Sequence, residues 1–469
     1  MGRKKKLLSN TMIFGAGTFI SKVLVFLLMP LYTAYLSTEE FGVADIIMQT
    51  ANLIIPIAVL GVSDGLFRFT LDADPDRRKQ IFSVAIFTLA IGMAPLALII
   101  QLFRLSAVYT GFIWVLFFYI CAANLHMIVA NYVRGCDRTK VYALQGIVNT
   151  VLVIIFNVLF LVGFDLGVTG YLLSVVLADF LVSVGLIIFC KLYKDIRFGG
   201  ISKDMSKALF RFSIPYIPLT LMWTITSASD RFIILGVMGE NATAINGLYA
   251  AAYKLPTLIT IAGGIFIKAW QISSVSESDV KERESFFGSV YKNYLGLMFT
   301  GGACLIAFSK IFTRILLNES YYESWEFVPV LAIAMVFSAF SEFLGSVYFV
   351  YKNSVRSLVT AAIGAGMNIV LNLALIPFLG AMGAAIATAI CYALVFLIRL
   401  IDTRRYMRFN RSIVKTLVNT VLILGQCVLM IIELPYWWIY QICIVAFLVI
   451  FNGKDILSAL LKIIKRKKI

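Results

Sequence analysis

The sequence predicts an all-α integral membrane protein with about fourteen transmembrane helices. Three observations carry that prediction. The 469 residues are 61% apolar and only 14% charged, against about a quarter charged in soluble domains. The apolar residues gather in long runs, and a helix needs about 20 residues to cross hydrocarbon. Short basic stretches separate the runs, as they do on the cytoplasmic side of polytopic membrane proteins. Disorder is excluded by so much apolar surface. A soluble multidomain enzyme is excluded too, as is a dedicated nucleic-acid binder, despite 41 Lys+Arg against 25 Asp+Glu and a net charge of +16.

The basic residues orient the chain. With Arg3 to Lys6 placed inside and each span reversing direction, 35 of the 41 Lys+Arg fall inside. Arg104, Lys310 and Arg314 fall outside, and Lys22, Arg231 and Lys254 lie within runs. So large a bias predicts an even number of spans with both termini cytoplasmic. The basic tail Ile464 to Lys468 then anchors the last helix at anionic headgroups.

Taken in order, run 11–36 is too long for a cleaved signal peptide, and no small-residue cleavage site follows it. Lys22 sits about halfway along it, where snorkelling to the interface is hard, so it is expected to face a cavity. Run 43–67 ends near Asp64 and Arg68, four residues apart and on one helix face. They form either an inner gate or an interfacial salt bridge. Runs 81–103 and 111–133 follow, the second carrying His126, the only histidine. It is either a hydrogen-bonded core residue or a proton relay. Runs 141–163 and 168–190 come next, with Asp179 in the middle of the latter as a candidate for a coupling proton or ion.

Run 212–238 is polar in its middle and opens with Pro215 and Pro218. It carries Asp230 and Arg231. Adjacent residues do not share a helix face, so each is expected to meet a partner on another helix, as a cavity or gate group or as a structural tie. Run 245–268 is broken by Pro256 and holds Tyr249, Tyr253 and Lys254. A cation beside tyrosines in a broken span suits an anionic or sugar-bearing ligand. Lys268 and Trp270 read as headgroup anchors. Runs 289–311 and 325–350 follow, with Glu342 near the inner end of the second as another coupling candidate. Runs 357–377, 381–400, 416–432 and 434–451 complete the fourteen.

An internal repeat is visible. Laying the fifth and sixth runs on the eleventh and twelfth puts Asn149 and Asn157 on Gly364 and Asn372, at an offset of 215. Both pairs turn at a glycine-bearing outer loop. Two halves of like orientation suggest a central cleft that opens to one face and then the other. The expected divisions are 1–200 and 201–405, each a six-helix bundle, and 406–469, two further helices with the basic tail.

Nothing in the sequence supports catalysis or a resident cofactor. HExxH and a glycine-rich phosphate loop are absent, and none of the 7 cysteines forms a CxxC pair. The longest wet stretches, 191–211 and 269–288, are too short for an ATPase domain. Transport would draw on a proton or sodium gradient, the membrane potential, or the cargo's own gradient.

Several stretches carry a family resemblance. They are Ser229-Asp230-Arg231-Phe232-Ile233-Ile234-Leu235-Gly236, Asn246-Gly247-Leu248-Tyr249, Ala252-Tyr253-Lys254-Leu255-Pro256 and Lys268-Ala269-Trp270, with Asn10, Gly15, Lys22, Pro30 to Thr33 and Glu40-Phe41-Gly42 nearer the start. They resemble the bacterial polysaccharide exporters, the Wzx-type oligosaccharide flippases, over about residues 7–400. That family shares a superfamily with the multidrug and toxin extruders and the lipid II flippase. The resemblance implies a V-shaped pair of six-helix bundles in the bacterial cytoplasmic membrane. It also implies alternating access that flips undecaprenyl-diphosphate-linked oligosaccharides for cell-surface polysaccharide synthesis. The cargo and membrane lipids would be its partners, together with a glycan polymerase and glycosyltransferases. On this reading Lys22, Arg231 and Lys254 hold the diphosphate and Tyr253 lies against a sugar. A lipid II-type flippase, a multidrug extruder and a non-transporting component of glycan synthesis are the alternatives. The basic deep set counts against an extruder of cations.

Overall fold

The computed structural model describes residues 23–24, 26–71, 73–197, 199, 202–275, 280–351 and 353–466. It is an all-α, multi-pass membrane protein. Among the described residues nine helices are long and apolar enough to cross a membrane. A tenth is reached if Phe287–Ala307 and Ser309–Leu316, bent by 66° at their junction, form one span. The chain divides into two compact units, one up to Ala228 and the other from Ser229. Large apolar side chains such as Leu98, Phe189, Val370, Phe378, Val421 and Ile450 stand exposed, as a lipid solvent requires.

The first unit holds α1 (Met29–Tyr35), α2 (Thr38–Ala58), α3 (Val62–Leu71), α4 (Pro75–Ile99), α5 (Ile113–Gly135), α6 (Thr139–Asn157), α7 (Gly167–Phe189), α8 (Lys203–Ser213) and the start of α9 (Tyr216–Val237). Half of the first expected run lies outside the described residues. A capping box starts α2: Ser37 Oγ accepts from the Glu40 amide at 3.2 Å, and Glu40 Oε2 accepts from the Ser37 amide at 2.9 Å. The second expected run breaks between α2 and α3, where Leu60 and Gly61 take left-handed backbone angles. Glycine is needed there. A Cβ on Gly61 would stand 2.8 Å from the Ser213 carbonyl oxygen, and one on Gly65 would stand 2.1 Å from Ser213 Oγ. This close approach seats α3 on α8. Beneath it Val62, Leu66, Ile81, Phe82, Val129, Val133 and Leu209 form one buried core, with the Phe82 and Tyr132 rings stacked at 4.3 Å.

The second unit continues with α10 (Ala242–Lys254), α11 (Thr257–Val275), α12 (Val280–Ala307), α13 (Ser309–Leu316), α14 (Val328–Val350), α15 (Ser354–Asp402), α16 (Ile413–Ile432) and α17 (Trp437–Arg466). The eighth expected run breaks between α10 and α11 at Leu255 and Pro256, since proline supplies no amide to the helix ladder. The eleventh and twelfth runs both lie in α15, which folds back on itself at Gly380, with φ 58° and ψ −142°. The contacts across it prove the reversal. Thr360 meets Arg399, Gly364 meets Cys391, and Asn368 meets Thr388. As one number rises the other falls, so the two arms are antiparallel.

The two hairpins close alike. A Cβ on Gly170 would stand 3.2 Å from the Phe160 carbonyl oxygen, and one on Gly383 would stand 2.6 Å from that of Leu375. Phe160 and Leu375 are 215 positions apart, the offset of the sequence repeat, while Gly170 and Gly383 are 213 apart.

Candidate functional site

Two polar clusters lie at membrane depth, one in each unit. In the second unit the cluster grows from the middle of α9. Asp230 and Arg231 are buried, with 0% and 2% of their surface exposed. Arg231 Nη1 donates to Asp230 Oδ1 at 2.9 Å and to Oδ2 at 3.0 Å, and the Arg231 amide donates to Oδ1 at 3.0 Å. From α10, the Tyr249 hydroxyl donates to Asp230 Oδ2 at 2.7 Å, and Asn246 Nδ2 donates to the Arg231 carbonyl at 2.9 Å. The guanidinium carbon stands 4.2 Å from the Tyr253 ring centre and 5.1 Å from that of Tyr249. Tyr253 is in turn bonded to Tyr392 of α15.

This geometry corrects the expectation that Asp230 and Arg231 avoid each other. Facing rules govern Cβ directions, but a long arginine folds back over its own turn. Where water is excluded, the nearest carboxylate is its cheapest partner. The tie to another helix exists as well, through Tyr249 and Asn246.

A second polar ladder adjoins it. Ser229 Oγ donates to Asn368 Oδ1 at 2.5 Å, Asn372 Nδ2 donates to the same oxygen at 3.0 Å, and Asn368 Nδ2 reaches Thr388 Oγ1 at 3.4 Å. It binds α9 to both arms of the α15 hairpin. Lys254 closes α10 beside the Pro256 break and is half-buried.

In the first unit, α5, α6 and α7 meet at a carboxylate. His126 Nδ1 stands 2.8 Å from Asp179 Oδ1, and His126 Nε2 stands 2.7 Å from Gln145 Oε1. Asn149 Nδ2 donates to Asp179 Oδ1 at 2.9 Å. His126 and Asp179, considered separately in the sequence, are therefore one unit. Nearby, Gln49, Asn52, Pro56, Asn124, Thr220 and Ser227 help line a hollow of about 290 Å³ with no lysine or arginine among its lining residues.

The remaining candidates are dispersed. Lys22 lies outside the described residues, as do the side chains of Asp64, Lys268 and Trp270. Arg68 is exposed at the end of α3, beside Phe69, Arg77 and Phe212. Glu342 is exposed on α14, within electrostatic reach of Arg399 and Tyr294. Among the described residues no group of three or more His, Cys, Asp or Glu could hold a metal ion.

The profile of the polysaccharide biosynthesis protein family matches residues 7–270, more than half of the chain. The chain belongs to that family. No curated protein matches it. Among solved structures, the chain is similar to the lipid II flippase MurJ in an inward closed conformation. The identity is 14% and the TM-score 0.73, over 96% of this chain and 100% of that one. It is similar to an inward-facing multidrug resistance MATE family transporter of the MOP superfamily, at 15% identity and a TM-score of 0.64, over 82% of this chain and 94% of that one. A MOP superfamily transporter from Pyrococcus furiosus Vc1, described as having a binding pocket of reverse polarity, is similar at 15% identity and a TM-score of 0.60, over 86% of this chain and 96% of that one. At these identities the likeness is one of fold.

Some polar groups of this family member escape a reading of charges alone. Ser229, Asn368, Thr388, Gln145 and Asn149 carry no charge, yet they bond within the His126–Asp179 cluster and the ladder beside α9. The available signal is an amide recurring every four residues in an apolar run, as at Gln145 and Asn149 or Asn368 and Asn372. Arg399 is a second case. The charge tally counts it in a wet inner loop, but it is 2% exposed within α15. It donates to Thr360 Oγ1 at 3.0 Å and to the Ser341 carbonyl at 2.8 Å.

Proposed function

We propose that the protein flips undecaprenyl-diphosphate-linked oligosaccharide repeat units across the bacterial cytoplasmic membrane for cell-surface polysaccharide synthesis. The observation that carries this reading is the family match over residues 7–270, which spans Asp230, Tyr253 and Lys254. The physics agrees. A glycan diphosphate loses its hydration in hydrocarbon and needs a polar route, while its lipid tail can stay in the bilayer. Cations would hold the diphosphate.

The finer reading has fourteen spans in a V of two six-helix bundles, 1–200 and 201–405, with 406–469 as two added helices and both termini cytoplasmic. Lys22 and Lys254 hold the anion, and Tyr253 lies against a sugar. Arg231, already paired with Asp230, takes cargo only by exchanging that carboxylate for the diphosphate. Asp64 and Arg68 form the inner gate. Glu342 is a further coupling group. Glycosyltransferases and a glycan polymerase supply and consume the cargo on opposite faces.

A lipid II-type cargo is the second reading, because the likeness to the lipid II flippase runs over 96% of the chain. Reconstitution with fluorescent lipid-linked oligosaccharide, lipid II and an amphipathic cation in separate vesicles tests all readings. Movement of the oligosaccharide in wild type, lost in Lys254→Ala and in Lys22→Ala at normal protein abundance, is the expected result. Movement of the cation alone would overturn the proposal, and unimpaired transport in both variants would overturn the residue assignment.

A further inference from the structure

We propose that His126, Gln145 and Asp179 form a buried proton-binding switch in the first unit, in which the imidazole's proton is read by the orientation of the Gln145 amide. The argument is a count of hydrogens. Asp179 Oδ1 stands 2.8 Å from His126 Nδ1, and an ionised carboxylate only accepts. Gln145 Oε1 stands 2.7 Å from His126 Nε2, and an amide oxygen also only accepts. With the amide oxygen turned towards Nε2, each ring nitrogen faces an acceptor, the pairing that an imidazolium satisfies.

When the ring gives up one proton, Nδ1 keeps its hydrogen because Asp179 has none to offer. Nε2 becomes an acceptor facing the Gln145 oxygen. Two acceptors repel, so the carboxamide must turn over and present its NH2 instead. Loss of the proton therefore rotates a group on α6 while the ring on α5 stays tied to α7. Asn149, one turn beyond Gln145 on α6, holds Asp179 Oδ1 from the same side at 2.9 Å and keeps the carboxylate in place.

The surroundings favour a two-state site. The side chains of His126 and Asp179 are only 17% and 12% exposed, so the pair is largely enclosed. Asn124 and Met127, on the same helix, line the neighbouring hollow. Other charge is sparse. Tyr119 of α5 senses Asp179. On α2, Asp45 acts on Tyr171 of α7. The neighbouring α3 carries Asp64 and Arg68, and Cys121 contacts Met93 of α4.

The chain has one histidine, so imidazole 15N resonances report this site alone, with no cargo required. Wild-type protein in nanodiscs is expected to pass in one step, between about pH 5 and about pH 8, from both nitrogens protonated to the neutral form protonated at Nδ1. Asp179→Asn is expected to displace the midpoint by about one unit or more. Gln145→Glu leaves only acceptors around the ring and is expected to keep both nitrogens protonated throughout. A wild-type ring that never changes state, or a neutral form protonated at Nε2, would overturn the switch.

Coupling to transport rests on the proposed function and is read separately. Oligosaccharide flux in vesicles under an imposed pH step, divided by flux without one, is expected to exceed unity several-fold in wild type and to fall to unity in His126→Gln. An equal ratio in both would overturn the coupling. Absence of wild-type flux would instead count against the transport reading.

Discussion

Removing Asp230 isolates a positive charge inside the second unit, and the cost follows from the contacts. Asp230 accepts three hydrogen bonds from Arg231 and one from Tyr249, at 2.7 to 3.0 Å, with neither charged partner meaningfully exposed. Breaking a buried pair by deleting one partner costs about 3–5 kcal/mol, because the other charge is left without compensation. In Asp230→Ala the guanidinium keeps the Tyr253 and Tyr249 ring faces, worth about 1–2 kcal/mol when desolvated, so the lower end, about 3 kcal/mol, is expected. Deleting both charges is a different perturbation. Asp230→Leu with Arg231→Met leaves no orphan charge and should recover most of the loss, since apolar replacements of buried pairs are often neutral. Tryptophan fluorescence during equilibrium denaturation in mild detergent measures all three proteins. The reasoning is refuted if Asp230→Ala stays within about 1 kcal/mol of wild type, or if the double variant is as unstable as the single one.

Three further outcomes are expected. Gly92→Ala sets a Cβ 2.0 Å from the Ala58 carbonyl oxygen, a backbone atom with little freedom to retreat, so about 1–3 kcal/mol is lost and the midpoint of thermal unfolding drops. Lys310 lies over Trp325 at 4.2 Å and over Trp437 at 4.7 Å, and it pairs with Glu433. Lys310→Ala should loosen α13 from the start of α17 by about 2 kcal/mol, seen as faster hydrogen exchange in Glu433 to Tyr440. Tyr249→Phe removes one hydrogen bond to a charged group and should cost about 1.5–3 kcal/mol. Denaturant midpoints read it, and the Asp230–Arg231 pair should survive.

Much of this architecture was legible because it depends on local chemistry. Pro256 breaks the eighth run where proline must, and the glycine-bearing segment around Gly380 reverses α15. Periodicity and turn residues act within a few positions, so a linear reading captures them. The pairing of His126 with Asp179 is of another kind. The two lie 53 positions apart, on helices whose relative rotation no spacing rule reveals. Arg231 shows a further limit. Its Cβ points away from that of Asp230, yet the guanidinium lies at the end of a flexible stem and reaches back. Arg399 was misjudged for a similar reason: an arginine near the end of an apolar run is counted with the following loop unless Thr360 and the Ser341 carbonyl are known to await it.

These engaged arginines constrain how a diphosphate could be handled. Arg231 is paired with Asp230. Arg399 is engaged by Thr360 and Ser341. Arg411, in the segment between α15 and α16, donates to Thr403 Oγ1 at 3.0 Å and to the Met407 carbonyl at 3.1 Å, and burial lowers its pKa to about 10. Each is already bonded, so cargo recruits such a group only by displacing a partner. For Arg231 that partner is a carboxylate, and a second anion beside it would raise rather than lower the energy. Direct capture therefore requires Asp230 to move away or to take up a proton as the diphosphate arrives. Lys254, half-buried at the Pro256 break, carries no such constraint and is the more accessible of the two cations.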